Sequence, residues 1–143
     1  MDHTTTMQAK PPGAQRSVLV VDDDEFAHEV LREMLGVLDI TTVHSALDGR
    51  KALKVLAVLE PAPDYLICDV FMPDMDGIEF LEQLASQGYP GGVVILSGVD
   101  AQMLSLSRDI AATNGLKVLG AFIKPITLQQ LSAALELPVV GSR

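Results

Sequence analysis

Tyr65-Leu66-Ile67-Cys68-Asp69-Val70-Phe71-Met72-Pro73-Asp74-Met75-Asp76-Gly77 is an apolar block that ends in a carboxylate and breaks at once into a Pro/Gly turn. A short apolar run bounded by turn signals reads as a strand buried on both faces. In an open α/β sheet, ligands bind just beyond the carboxyl ends of such strands, which puts Asp69 where chemistry takes place. An aspartate there also serves as a helix cap or turn former. Val18-Leu19-Val20-Val21-Asp22-Asp23-Asp24 tips the balance, because a second apolar run also ends in carboxylates. Two strands then deliver acidic groups to one edge.

Outward from these two strands, apolar blocks and amphipathic stretches alternate. The first strand spans about 17–21, and Asp24-Glu25 opens a helix in which Phe26, Val30, Leu31, Met34 and Leu35 recur at three-to-four spacing. A short second strand is expected at 40–44. Asp48-Gly49 starts a second helix, with Ala52, Leu53, Val55, Leu56 and Leu59 inward, that stops before Pro61. After the third strand, 65–69, a helix over 77–87 carries Ile78, Phe80, Leu81 and Leu84 on one stripe and ends at Gly88. A fourth strand, 93–96, leads to Ser97-Gly98, a fourth helix covers 103–113, and a fifth strand covers 117–123. Thr127 and Gln130 have capping-box spacing and open a last helix that Pro138 terminates.

Five strands alternating with five helices, joined by short connections, predict a three-layer α/β domain with a parallel sheet. In the flavodoxin-like, doubly wound order 2-1-3-4-5, the first and third strands are neighbours at the switch point, which gathers Asp22, Asp23 and Asp69 in one crevice. The fourth and fifth strands end in Ser97 and Lys124 on the same edge.

At 143 residues the chain is expected to form a single domain over 17–137, after a flexible leader at 1–16 and before a short tail or linker at 138–143. Ten basic against 19 acidic side chains give a net charge of −9, which opposes direct nucleic-acid binding and an anionic membrane surface alike. One cysteine, Cys68, inside the central strand, excludes a disulfide framework and suits a reducing compartment as a small apolar filler. No stretch reaches the roughly 18 apolar residues of a membrane span, so the expected location is cytoplasmic.

Crowded carboxylates require a cation unless their pKa values rise, and hard oxygen ligands on a small divalent ion suggest Mg²⁺. Lys124 adds a second positive charge, and Ser97 a hydroxyl that can donate to a phosphoryl oxygen. A carboxylate so placed can attack phosphorus to give an aspartyl phosphate. His3, His28 and His44 fall in the leader, the first helix and the end of the second strand, and read as surface or core filling.

Val20-Val21-Asp22-Asp23, Asp69 through Gly77, Ser97-Gly98 and Lys124-Pro125 together resemble the receiver domains of bacterial two-component response regulators, over about 17–137. The resemblance implies that Asp69 is the phosphoacceptor, and that Asp23, Asp69 and the Phe71 backbone carbonyl ligate Mg²⁺ directly. Asp22 is then a carboxylate that reaches metal-bound water. It also implies that Ser97 senses the phosphoryl group, that Lys124 binds it, and that the Lys124–Pro125 bond is cis. The resemblance further implies that Phe71 and Val99 flank the path of hydrolytic water and, with the small Gly98 leaving access open, would tune the lifetime of the phosphorylated state. The implied partners are a histidine kinase or phosphotransfer protein, and an output protein or effector domain. A phosphorylation-dependent homodimer is left open. The residues before Lys124-Pro125 are similar to those of receivers that precede EAL-type cyclic-di-GMP phosphodiesterases, which would make such a phosphodiesterase the effector.

One departure touches the switch. The family often carries Tyr or Phe three residues before the lysine, where this chain has Ala121, and Phe122 beside it should point to the opposite face of the strand. Three other readings stand beside the receiver. A haloacid-dehalogenase-type phosphatase would use Asp22 and Asp24, but no cap insertion encloses a substrate. A calcium loop over Asp74–Gly77 lacks the bidentate carboxylate at its twelfth position, where Gln83 stands. A phosphorylation-independent interaction module could use the same fold.

Overall fold

The computed structural model of the chain describes residues 15–72, 77–98 and 100–139. The expected leader through residue 14, Asp74–Asp76 of the proposed calcium loop, Val99 and the last four residues lie outside them. Five strands, β1 (Ser17–Val21), β2 (Thr42–Ala46), β3 (Tyr65–Asp69), β4 (Gly92–Ser97) and β5 (Lys117–Ile123), form one parallel sheet in the order β2-β1-β3-β4-β5. Between and after them run α1 (Glu25–Val37), α2 (Gly49–Val58), α3 (Gly77–Ser86), α4 (Ala101–Thr113) and α5 (Leu128–Leu135). This is the flavodoxin-like architecture expected from the alternation of elements.

The two faces of the sheet carry separate apolar layers. Leu31 and Leu35 of α1 and Leu131 and Leu135 of α5 pack with Val18, Val20, Ile67 and Val94. Ala52 of α2, Phe80, Leu81 and Leu84 of α3, and Leu104 and Ala111 of α4 pack with Leu19, Leu66, Val93 and Ile95 on the other face. Because β1, β3 and β4 are covered on both sides, nearly all their residues are buried, and this produced their continuous apolar runs. Each fully buried aliphatic side chain contributes about 1.5–3 kcal/mol.

Local signals set the helix starts. Asp24 caps α1 through a bond from the Phe26 N–H, Asp48 caps α2 through the Lys51 N–H, and Asp100 caps α4 through the Gln102 N–H. Thr127 and Gln130 make the expected capping box on α5, which closes at Glu136 in the left-handed region, two residues ahead of Pro138. Gly77 is needed where α3 begins: its N–H donates to the Val70 carbonyl at 3.0 Å, and a Cβ there would collide with the Val70 backbone.

Two expectations shift. β2 begins at Thr42 rather than at residue 40, because Ile40 belongs to the close of α1: its N–H donates to the Leu35 carbonyl at 2.8 Å and its side chain is buried in the α1/α5 layer. Phe26 does not face inward; it is 69% exposed. Five residues of helix turn through about 140°, so Phe26 and Leu31 cannot share a stripe, and the buried stripe of α1 is His28, Leu31 and Leu35.

Candidate phosphoryl-acceptor site

The parallel register assembles the site. Val21 lies opposite Cys68, so the next residues, Asp22 and Asp69, leave adjacent strands at the same level. Asp69 pairs with Leu96, and Ser97 with Ile123, which brings Ser97 and Lys124 to that same edge. The Lys124 N–H donates to the Ser97 carbonyl at 2.8 Å, and the Lys124–Pro125 peptide is cis, as is Glu60–Pro61. A separate groove of about 470 Å³ lies beside the starts of β3, β4 and β5, lined by Tyr65, Gly92 and Lys117 among others, and contains none of these residues.

Asp22, Asp23 and Asp69 each offer a carboxylate oxygen within 4.8 Å of the others. Asp22 and Asp69 are buried and Asp23 is exposed. The Lys124 ammonium lies 2.9 Å from Asp22 Oδ2 and 3.3 Å from Asp69 Oδ2. Asp69 Oδ1 accepts the Phe71 N–H at 3.0 Å, and Asp22 Oδ1 accepts the Asp24 N–H at 2.9 Å. Ser97 is fully buried, and its hydroxyl donates to the Asp100 carbonyl at 3.4 Å, the carbonyl that also receives the Leu104 N–H of α4. Gly98 adjoins Lys124: a Cβ at Gly98 would stand 3.7 Å from Lys124 Cδ, an ordinary contact.

Charge in this pocket is not balanced. Burial pushes the Asp69 carboxyl above its ordinary value, against the Phe71 N–H and the Lys124 charge, which lower it. Burial alone would depress Lys124, but its hydrogen bond to Asp22 and the Asp69 and Asp22 charges raise it above the usual lysine value. A simple ion pair would lower its acid and raise its base; here the base rises while the acid also rises, because the burial of Asp69 outweighs the Phe71 N–H and its share of the one Lys124 charge. Three clustered carboxylates, only two of them against the one ammonium, suit a small, hard cation, and the donors are all oxygens. Burial, reinforced by the Asp69 and Asp22 charges, drives the Cys68 thiol well up, so it stays an inert filler of the strand.

The structure therefore brings together Asp22, Asp23, Asp69, Ser97, Gly98 and Lys124, with Phe71 at the rim and 61% exposed. Ala121 packs in the α2–α4 layer and Phe122 in the α1/α5 layer, so Phe122 does not stand in for an aromatic at 121. A bulge in β5 opposite Val93/Val94 resets the alternation and fixes which of the two faces α4. His28, read from the sequence as surface or core filling, is buried, and its Nε2 lies 2.8 Å from the Asp22 carbonyl oxygen, a contact the sequence reading did not anticipate. Its three- and seven-residue spacing to Leu31 and Leu35 was the available signal.

A sequence profile of the response regulator receiver domain matches residues 18–136. The response regulator MprA of Mycolicibacterium vanbaalenii is 36% identical over 122 residues, covering 83% of this chain and 48% of the relative. The chain spans about half the length of the curated relatives it matches. Among solved structures, a response regulator from Colwellia psychrerythraea is 31% identical with a TM-score of 0.71, covering 86% of this chain and 95% of that one. The complex of CheX with CheY, BeF3 and Mg²⁺ from Borrelia burgdorferi is similar at 25% identity and a TM-score of 0.72, covering 86% and 88%. Receiver domains generally bind Mg²⁺ at an acidic pocket, and no described helix is long and apolar enough to cross a membrane.

Proposed function

The chain belongs to the response regulator receiver domain family, and from that premise we propose that Asp69 accepts a phosphoryl group from the phosphohistidine of a kinase or phosphotransfer protein. The observation that carries this is the Asp69 carboxylate, with Oδ1 held by the Phe71 N–H and Oδ2 facing Lys124 at the mouth of a cluster of carboxylates. An Asp69 oxygen forms the new P–O bond as the P–N bond to the donor imidazole breaks, and the imidazole leaves with the electron pair. Lys124 then shifts its charge-assisted contact from the carboxylates to a phosphoryl oxygen.

Asp22, Asp23, Asp69 and the Phe71 carbonyl are the groups that would hold Mg²⁺. When bound, the ion supplies the countercharge that one lysine cannot give to three carboxylates and an incoming phosphoryl group. Support for that ion comes from the all-oxygen donor set and from the Mg²⁺ of the similar CheX–CheY complex from Borrelia.

Ser97 links the site to an output. Its hydroxyl now rests on the Asp100 carbonyl at the first turn of α4; turning it to a phosphoryl oxygen would release that contact and loosen the start of the helix. With Ala121 in the usual aromatic place, this route replaces a ring flip. The partner reading the change is an output protein or an effector domain, an EAL-type phosphodiesterase being the specific candidate.

Intact mass after treatment with acetyl phosphate, with and without Mg²⁺, tests the reading. Wild type should gain one phosphoryl group with Mg²⁺ and Asp69→Asn none, since an amide lacks the nucleophilic charge. Labelling that persists in Asp69→Asn would overturn the assignment.

A further inference from the structure

Among the described residues, the buried side-chain atom with no hydrogen-bond partner is Nδ1 of His28. The ring is 6% exposed, on the inner stripe of α1 with Leu31 and Leu35. Its Nε2 lies 2.8 Å from the Asp22 carbonyl oxygen. A carbonyl only accepts, so Nε2 carries the proton, and in the neutral ring Nδ1 is a lone pair facing no donor. Such an unpaired acceptor is costly to bury, and a leucine at this place would carry no such cost.

We propose that His28 is a positioning residue of the acidic edge: by holding the Asp22 carbonyl, it fixes the turn that presents the Asp22 and Asp23 carboxylates. The turn is where β1 has ended and α1 has not begun. The Asp22 N–H makes a last sheet-like bond to the Ala46 carbonyl at 3.2 Å, and the Asp24 carbonyl is the first to take a helical bond, from the His28 N–H at 3.4 Å. The Asp22 carbonyl falls between the two ladders, and His28 Nε2 supplies its partner. The peptide joining Asp22 to Asp23 is planar, so the direction of that carbonyl sets where the Asp23 N and Cα go. Asp22 is otherwise tied through Oδ1 to the Asp24 N–H, which closes a turn around that peptide, and through Oδ2 to Lys124; neither bond engages the Asp22 carbonyl itself.

The proposal rests on the Mg²⁺ reading above for its consequence but not for its geometry, and the test separates them. Nitrogen-15 NMR of the metal-free wild type should show the His28 ring as the Nε2-protonated tautomer; the Nδ1-protonated form would overturn the proposal. Mg²⁺ titrations followed by amide shifts then compare wild type, His28→Leu and His28→Gln. Glutamine places an amide donor at a reach similar to Nε2, whereas leucine fills the space without a donor. His28→Leu should bind Mg²⁺ about tenfold more weakly, the usual loss for a group that orients a ligand. His28→Gln should recover most of the affinity, which space-filling alone does not predict. Wild-type affinity in a folded His28→Leu would overturn the proposal. If that variant does not fold, a folded His28→Gln with near-wild-type affinity supports it, and one with a tenfold loss overturns it. A wild type that binds no Mg²⁺ sinks the metal reading and leaves His28 to the metal-free spectra: moved Asp23 and Asp24 amides in His28→Leu support the role, and unmoved ones refute it.

Discussion

The Lys124 ammonium sits 2.9 Å from Asp22 Oδ2, joining the turn after β5 to the turn after β1 across 102 residues of chain. Asp22 is almost fully buried, so the pair neutralises a carboxylate that water does not reach. Lys124→Met should lower metal-free stability by about 1.5–3 kcal/mol, the usual value of a charge-assisted bond. The same variant should bind Mg²⁺ more tightly, because the resident ammonium competes for the carboxylates, yet take up phosphoryl groups more slowly. Urea unfolding in chelator and in Mg²⁺, with labelling by acetyl phosphate, measures all three. Equal metal affinity in wild type and variant would show that Lys124 and the ion do not share oxygens.

Asp22 and Asp23 are neighbours in sequence with different surroundings. Asp22 has both oxygens engaged, by the Asp24 N–H and by Lys124, whereas Asp23 is exposed. Asp23→Asn should therefore weaken Mg²⁺ binding more than Asp22→Asn, and Asp22→Asn should cost more stability, about 1–3 kcal/mol, because it strips charge from a buried pair. Calorimetric melts beside NMR titrations check both orders; equal losses in the titrations would undo the assignment of Asp23 as the direct ligand.

Much of this arrangement could be read in advance, for identifiable reasons. β1, β3 and β4 are covered on both faces, so their sequences are unbroken apolar blocks whose ends mark Asp22, Asp69 and Ser97. β2 is an edge strand with Ala46 its only buried residue, so composition could not place its start, and the buried Ile40 pulled the expected boundary into the preceding turn. His28, read as surface or core filling, is indeed in the core, but its contact was not foreseen because a polar ring on an inner stripe gives no sequence signal of which backbone carbonyl it meets. The sharing of Lys124 between Asp22 and Asp69 depends on side-chain reach, which register alone does not determine.

Stability should respond to pH at both ends. Burial raises Asp69 above its unfolded value, so the native state holds that proton more tightly, and the contribution present below about pH 3.8 is lost as pH rises through the folded value. Asp69→Asn should thus be more stable than wild type at neutral pH in chelator, with the advantage shrinking in acid. Burial likewise raises Tyr89, whose hydroxyl donates to the Pro63 carbonyl at 2.8 Å, and Tyr65, where burial outweighs the nearby Arg16. Their contributions are present below about pH 10 and fade above it. These are the chain's two tyrosines, so absorbance of tyrosinate should lag a free-tyrosine titration and then appear together with unfolding. A titration of ordinary midpoint in folded protein would contradict the burial of both rings.

The lifetime of the phosphorylated state should depend on how water approaches Asp69. The Phe71 backbone is pinned by its N–H bond to Asp69 Oδ1, which leaves its ring, 61% exposed, at the rim rather than buried. The ring cannot orient water by hydrogen bonding, and neither can Val99, which lies outside the described residues. In the proposed role, Lys124 and Ser97 would still bind the phosphoryl oxygens, so slow hydrolysis is expected. Replacing Phe71 by Asn and Val99 by Glu would supply polar groups at the two positions that the family resemblance sets beside the water's path, and a barrier lowered by about 1.4 kcal/mol would speed decay about tenfold. Gly98 works in the opposite direction: being small, it leaves access open, and the 3.7 Å spacing to Lys124 Cδ means that Gly98→Ala fits without displacing the lysine. Gly98→Ala should therefore slow decay. Removing free phosphodonor and following phosphorylated protein by intact mass gives all three rates. A wild type that decays as fast as the double variant, with Gly98→Ala no slower, would show that water access at the rim does not set the lifetime.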